Sequence, residues 1–221
     1  MENQLTIITG HFGSGKTEFA VNLALYMADK GVSVTLADID IVNPYFCSRE
    51  RKVELEDAGV RVILPNKGNG DLPALNPALL SLFERGGVGV MDVGGDAAGA
   101  RVLGRFVARI LAVPHELYAV LNYYRPETAT PQQALSYLHD IEAGAKVPIT
   151  GIVNNTHLCT ETTEADILRG AKLAQETAAL CGIPVVCHAV ERKLAEGLDA
   201  SLLGGGELFP MEIYMKKPWE D

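Results

Sequence analysis

Residues 10–17 read GHFGSGKT and follow directly on a short apolar run, LTIIT, at 5–9. The octet fits the pattern G-x-x-x-x-G-K-[ST], which works only between a buried strand and the start of a helix. Both are predicted here. The run at 5–9 has the length of a strand, and residues 18–30 carry Phe19, Leu23, Tyr26 and Met27 at helical spacing before Gly31 stops the helix. The chain is thereby committed to a β-loop-α beginning. Gly10, Gly13 and Gly15 let backbone N–H groups curl around a phosphate chain with no Cβ in the way. Lys16 would place a point charge on the β- and γ-phosphates, and Thr17 would offer its hydroxyl to Mg²⁺. Ser14 and Glu18 complete the expected contact set, and the helix N-terminus adds its dipole.

Short apolar runs return at 32–36, 60–64, 88–91, 117–121, 149–153 and 183–187, separated by helical patterns at 48–58, 77–84, 98–111, 131–143 and 163–180. Strict alternation of this kind predicts an α/β three-layer P-loop NTPase fold, with a mainly parallel seven-stranded sheet flanked by helices. A chain of 221 residues with 48% hydrophobic content supports one core, so a single nucleotide-binding domain is expected over 1–221. Its core should span about 4–190, with 191–221 irregular. The net charge of −9 argues against a nucleic-acid or anionic-membrane surface. Arg101, Arg105 and Arg109, four apart on the 98–111 pattern, read as the solvated face of a cover helix. Cys47, Cys159, Cys181 and Cys187 form no C-x-x-C pair, and no basic-apolar leader or membrane-length apolar run is present, so a cytoplasmic protein is expected.

In an open parallel sheet the ligand sits beyond the carboxyl ends of the strands, so polar residues at those tips carry the most information. The second strand ends in Asp38 and Asp40, two apart and therefore on one side. One of them could bind the metal's water shell while the other orients an attacking water. The fourth ends in a D-x-x-G, with Asp92 suited to hold Mg²⁺ and Gly95 to bring its N–H to a γ-phosphate. The sixth ends in Asn154 and Asn155, whose amides offer a donor and an acceptor to a base edge. Guanine-specific loops carry an Asp where this chain has His157, so adenine is favoured. After the fifth strand comes Asn122-Tyr-Tyr-Arg-Pro, where Arg125 reads either as a phosphate-reaching cation or as a surface arginine beside a turn.

The order of phosphate loop, D-x-D, D-x-x-G and Asn resembles the MinD/ParA group of P-loop ATPases, which includes CobQ/CobB-type nucleotide-binding domains. The resemblance spans roughly residues 4–190. It implies that Lys16 and Thr17 carry phosphate and Mg²⁺, that Asp40 is the switch I carboxylate orienting water, and that Asp92 begins switch II. Asn154 or Asn155 would contact adenine. The resemblance departs at His11, where that family has a lysine reaching across a dimer to the partner's nucleotide. A histidine has neither that reach nor a permanent charge.

Three functions follow as expectations. The first is a Mg²⁺-ATP-binding protein, a slow ATPase that switches a protein partner or a homodimer between ATP and ADP states, with residues 43–50 as the responsive segment and Arg49 near the transferred phosphate. The second is a phosphotransferase or ATP-dependent ligase for a small acceptor, with 66–77 as its lid and Lys67 as the lid's one cation. The third is a membrane-recruited switch using Tyr214, Met215, Lys216, Lys217 and Trp219. Pro218 interrupts that segment, which makes it a poor anchor.

Overall fold

The computed structural model describes residues 5–40, 51–64, 77–83 and 88–215. The proposed responsive segment with Arg49, the loop 66–76 with Lys67, and the tail from Lys216 onward lie outside the described residues. Strand β1 (Leu5–Thr9) leads into helix α1 (Lys16–Asp29), then β2 (Val34–Asp38), α2 (Lys52–Asp57) and β3 (Arg61–Ile63). A 3₁₀ stretch, Pro77–Phe83, precedes β4 (Val88–Asp92), α3 (Ala97–Gly104), α4 (Val107–Ile110) and β5 (His115–Leu121). The last third comprises α5 (Pro131–Ala145), β6 (Gly151–Asn154), α6 (Glu164–Cys181), β7 (Val185–Glu191), α7 (Arg192–Ala195) and β8 (Glu207–Met211).

The strands form one sheet in the order β3-β2-β4-β1-β5-β6-β7-β8, and every neighbouring pair is parallel. Side chains alternate across it, as the pleat requires. Leu5 and Ile7 join Met91, Leu117, Leu138 and Ile141 in one core layer, while Ile8 joins Phe19, Val21, Leu36 and Val120 in the other. Both faces of the central strands are dry, which is why these strands read as continuous apolar runs. β1 lies between β4 and β5, and the chain turns to opposite sides of it, so the crevice of the sheet opens at the end of β1.

Two sequence expectations need correction. The sheet has eight strands, not seven, and the eighth lies inside the stretch expected to be irregular. Three glycines before it and Pro210 within it conceal the strand, yet an edge strand tolerates proline because one side of its ladder is unpaired. Phe209 of β8 packs edge-on to Phe19 and Tyr26 of α1, with ring centroids 5.4 and 5.7 Å away. The helix expected over 98–111 is broken between Gly104 and Val107, although Arg101, Arg105 and Arg109 do face solvent. Among the described residues no helix is long and apolar enough to cross a membrane.

A buried polar chain ties the last three strands together. The amide of Asn154 donates to Nδ1 of His188 (3.0 Å), and Nε2 of His188 donates to the Gly205 carbonyl (2.7 Å). His188 is completely buried, and that burial holds its imidazole below the ordinary histidine range. A depressed histidine contributes stability that is present above its unfolded value, about 6.5, and is lost as pH falls through the folded value. The unfolding midpoint should therefore drop as the solution is acidified below about pH 6.5. His188→Gln, which keeps a donor and an acceptor but does not titrate, should flatten that slope in a thermal melt. An unchanged slope would show that this residue does not set it.

Candidate functional site

The phosphate loop starts from β1 and turns through two left-handed glycines, Gly13 (φ 75°) and Gly15 (φ 81°). At Gly15 a Cβ would also lie 2.2 Å from the Asn155 amide, so only glycine serves there. Gly15 is the N-cap of α1 and supplies no side-chain cap, whereas α5 is capped by Thr130 and α6 by a full box of Thr163 and Asp166. The first-turn N–H groups of α1 are thus left for a ligand.

Neighbouring strand ends hold the loop's carbonyls. Asn122 Nδ2 donates to the Gly13 carbonyl (3.3 Å), as does Arg125 Nε (2.9 Å), while Asn155 Nδ2 donates to the Ser14 carbonyl (2.7 Å). With those oxygens occupied from outside, the loop's N–H groups are the ones left for an anion. Asn122 is completely buried. It also donates to the His157 carbonyl (3.1 Å) and accepts from the Tyr124 and His157 N–H groups at 3.0 and 3.3 Å. Sequence reading gave Asn122 no role. Its position at a strand tip was visible, but the loop carbonyl it holds is 109 residues away in the chain.

The acidic side of the site is equally closed. Asp38 and Asp92 are direct partners in the β2–β4 register. Lys16 Nζ lies 2.8 Å from Asp40 Oδ2, and the Asp40 N–H donates to Asp38 Oδ1 (3.1 Å). The Thr17 hydroxyl donates to Asp92 Oδ2 (2.7 Å). Lys16, Asp38, Asp40 and Asp92 are all buried. Burial disfavours the Lys16 ammonium, but the carboxylates of Asp92, Asp40 and Asp38 outweigh it and hold its pKa above the ordinary value. Burial pushes Asp92 up to about 7 against the pull of Lys16, with the charge of Asp38 adding to the rise. Two buried side-chain atoms here have no hydrogen-bond partner among the described residues, Asp92 Oδ1 and Ser14 Oγ. An orphaned carboxylate oxygen beside a threonine hydroxyl is suited to a hydrated cation. No three His, Cys, Asp or Glu side chains among the described residues form a ready-made metal cage.

Gly95 lies against the loop. A Cβ there would lie 1.9 Å from the Gly10 carbonyl oxygen, and its own carbonyl accepts from the Tyr137 hydroxyl (3.0 Å). His11 turns toward Glu127, at 3.5 Å, with its ring edge-on to Tyr137.

From the loop a cavity of about 490 Å³ runs between the ends of β6 and β7. Lys16, Thr17, Glu18, Arg125, Asn155 and His157 line it at the phosphate-loop end, with Ile167, Val190 and Leu194 further along. Asn154 is not among the lining residues, since its amide is bound to His188 and its oxygen accepts from Thr156 (2.7 Å). Glu18 lines the cavity, but its carboxylate accepts the backbone N–H groups of Tyr214 and Met215 at 2.7 and 3.1 Å.

Among solved structures, the fold is similar to FtsY from Mycoplasma mycoides, with 18% identity, 91% of this chain and 66% of that chain covered, and a TM-score of 0.60. It is also similar to chloroplast FtsY from Physcomitrella patens, with 18% identity, 92% and 64% coverage and a TM-score of 0.61. A third neighbour is FlhF complexed with GTP and Mg²⁺, with 13% identity, 84% and 64% coverage and a TM-score of 0.53. This chain spans just under two thirds of the length of these proteins, and at such identities the likeness is one of fold. No curated protein sequence matches the chain. The sequence profile of the CobQ/CobB/MinD/ParA nucleotide-binding domain matches residues 5–166, a span that holds the phosphate loop, Asp38, Asp40, Asp92 and Asn155. The chain belongs to the CobQ/CobB/MinD/ParA family of nucleotide-binding domains.

Proposed function

We propose that the protein binds ATP with Mg²⁺, hydrolyses it slowly, and uses the change of nucleotide state to signal to a protein partner or a second copy of itself. The observation that carries this reading is the joint placement of Lys16, the Thr17–Asp92 pair and a phosphate loop whose carbonyls are held from behind. A bound triphosphate would draw Lys16 from Asp40 to the β- and γ-phosphate oxygens. Asp40, relieved of that ion pair, would orient the attacking water, while the loop N–H groups, that of Gly95 and Lys16 stabilise the charge on the γ-phosphoryl oxygens. Mg²⁺, held by the Thr17 hydroxyl and through water by Asp92 with Asp38 behind it, would supply the remaining charge neutralisation.

Adenine is proposed because His157 stands where guanine-specific loops place a carboxylate, and Asn155 brings an amide to the cavity. GTP is the second reading, favoured by the ligand of the FlhF neighbour. Parallel calorimetric titrations with ATP and GTP in Mg²⁺, beside a phosphate-release assay, separate them. ATP should bind at least about tenfold more tightly, a difference of about 1.4 kcal/mol. Tighter GTP binding would overturn the base assignment, and binding of neither would overturn the function. Turnover that rises only on adding a small phosphate acceptor would instead support the phosphotransferase reading.

A further inference from the structure

The segment after β8 lies nearly two hundred residues from the phosphate loop in sequence, yet it is bound to the helix that the loop opens. Asn22 of α1 pairs with the Glu212 backbone in both directions, its Nδ2 donating to the carbonyl (2.9 Å) and its Oδ1 accepting from the N–H (2.8 Å). One turn earlier, the Glu18 carboxylate takes the next two available N–H groups, those of Tyr214 and Met215. On the other side, Arg51 Nε donates to the Tyr214 carbonyl (2.6 Å). Residues 212–215 are therefore held from three side chains. Asn22 is itself buried, and Glu18 sits in an environment that raises its carboxyl pKa through burial, so these are not loose surface contacts.

Held in this way, Met211, Ile213 and Met215 line the same cavity as Lys16 and Asn155. They stand two apart in the chain, at the last residue of β8 and in the segment that follows it. Ile167, Ala189, Val190 and Leu194 line the cavity as well, Ala189 and Val190 from the strand that pairs with β8. The cavity thus has a polar end at the phosphate loop and an apolar slot beyond it. Ile213 is 57% exposed although it lines the slot, so apolar surface there stands open to solvent. A flat, weakly hydrated ring fits such an apolar slot, and a purine is the part of a nucleotide with that character.

We propose that residues 211–215 form a strap that builds one wall of the nucleobase pocket, so that Met211, Ile213 and Met215 set the affinity for the purine ring while the loop sets the affinity for phosphate. This rests on the reading that the cavity takes a nucleotide, but not on which purine it is. The strap hangs from Glu18 and Asn22 on the first two turns of α1, beside the Lys16 and Thr17 that take the phosphate. The wall and the phosphate site therefore share one rigid element.

The test compares Ile213→Ala/Met215→Ala with wild type by calorimetry, using ADP, GDP and inorganic tripolyphosphate, each with Mg²⁺. Truncating two apolar side chains on the ring should weaken the better-bound of ADP and GDP about tenfold. Tripolyphosphate, which has no ring, should bind with unchanged affinity. Asn22→Ala, which unhooks Glu212 without altering the wall, should act in the same direction by a smaller factor and remains informative should the double variant fail to fold. Equal losses for nucleotide and tripolyphosphate, or no loss for either, would overturn the strap. A wild type that binds tripolyphosphate but neither nucleotide would do the same. A wild type that binds none of the three would overturn the nucleotide reading and the strap with it.

Discussion

Lys16→Ala is expected to abolish detectable nucleotide binding, a loss of at least about 100-fold or roughly 2.7 kcal/mol. The size follows from where the ammonium sits. It is buried among Asp38, Asp40 and Asp92, and its positive charge opposes the rise that burial imposes on Asp92. Without it, an incoming triphosphate would meet three carboxylates with no cation paired to them, since Arg125 at the loop is bound to the Gly13 carbonyl. A hydrogen bond to a charged group contributes about 1.5–3 kcal/mol, and removing one member of a buried pair costs about 3–5 kcal/mol. The apo protein should accordingly melt lower as well. Lys16→Gln retains volume and donors and should recover stability more than binding. Wild-type ATP affinity in Lys16→Ala, measured by calorimetry with Mg²⁺, would sink the proposed function.

Asp92→Asn should weaken the Mg²⁺ dependence of nucleotide binding while leaving the apo fold intact. An Asn keeps an oxygen to accept from the Thr17 hydroxyl, so the 2.7 Å contact survives. What it removes is the negative charge and the buried Oδ1 that has no partner among the described residues. In wild type, Mg²⁺ should strengthen ATP binding by about 100-fold or more over a solution with chelator, because the cation neutralises charge in a low-dielectric site. In Asp92→Asn that gain should fall below about tenfold, and the chelator arm should be equal to or better than wild type because one negative charge is gone. An undiminished Mg²⁺ effect in the variant would show that the cation is held elsewhere.

Much of this site was visible in the one-dimensional pattern, for physical reasons that can be named. GHFGSGKT is contiguous because a loop that wraps phosphate must bring its donors from successive residues. Asp38 and Asp92 stood out because each ends an apolar run, and parallel pairing of β2 with β4 then sets them side by side. Asn155, expected to contact the base, lines the cavity, and its Nδ2 also donates to the Ser14 carbonyl. Asn154 carried the same signal but lies one residue back, still within β6, so the pleat turns it to His188. Glu18 follows the loop directly and lines the cavity, while its bonds to Tyr214 and Met215 have no local trace in the sequence.

The sequence by itself determined the phosphate loop, the alternation that yields a parallel α/β sheet, and the carboxylates at the strand tips. Each of these is written in neighbouring residues, through backbone freedom, side-chain period and strand ends. The tertiary structure alone decided the pairing of Lys16 with Asp40, the support of the loop by Asn122, Arg125 and Asn155, the eighth strand, and the apolar wall of 211–215. Those features join groups 20 to nearly 200 positions apart, and no short-range pattern records which distant groups the folded sheet brings together.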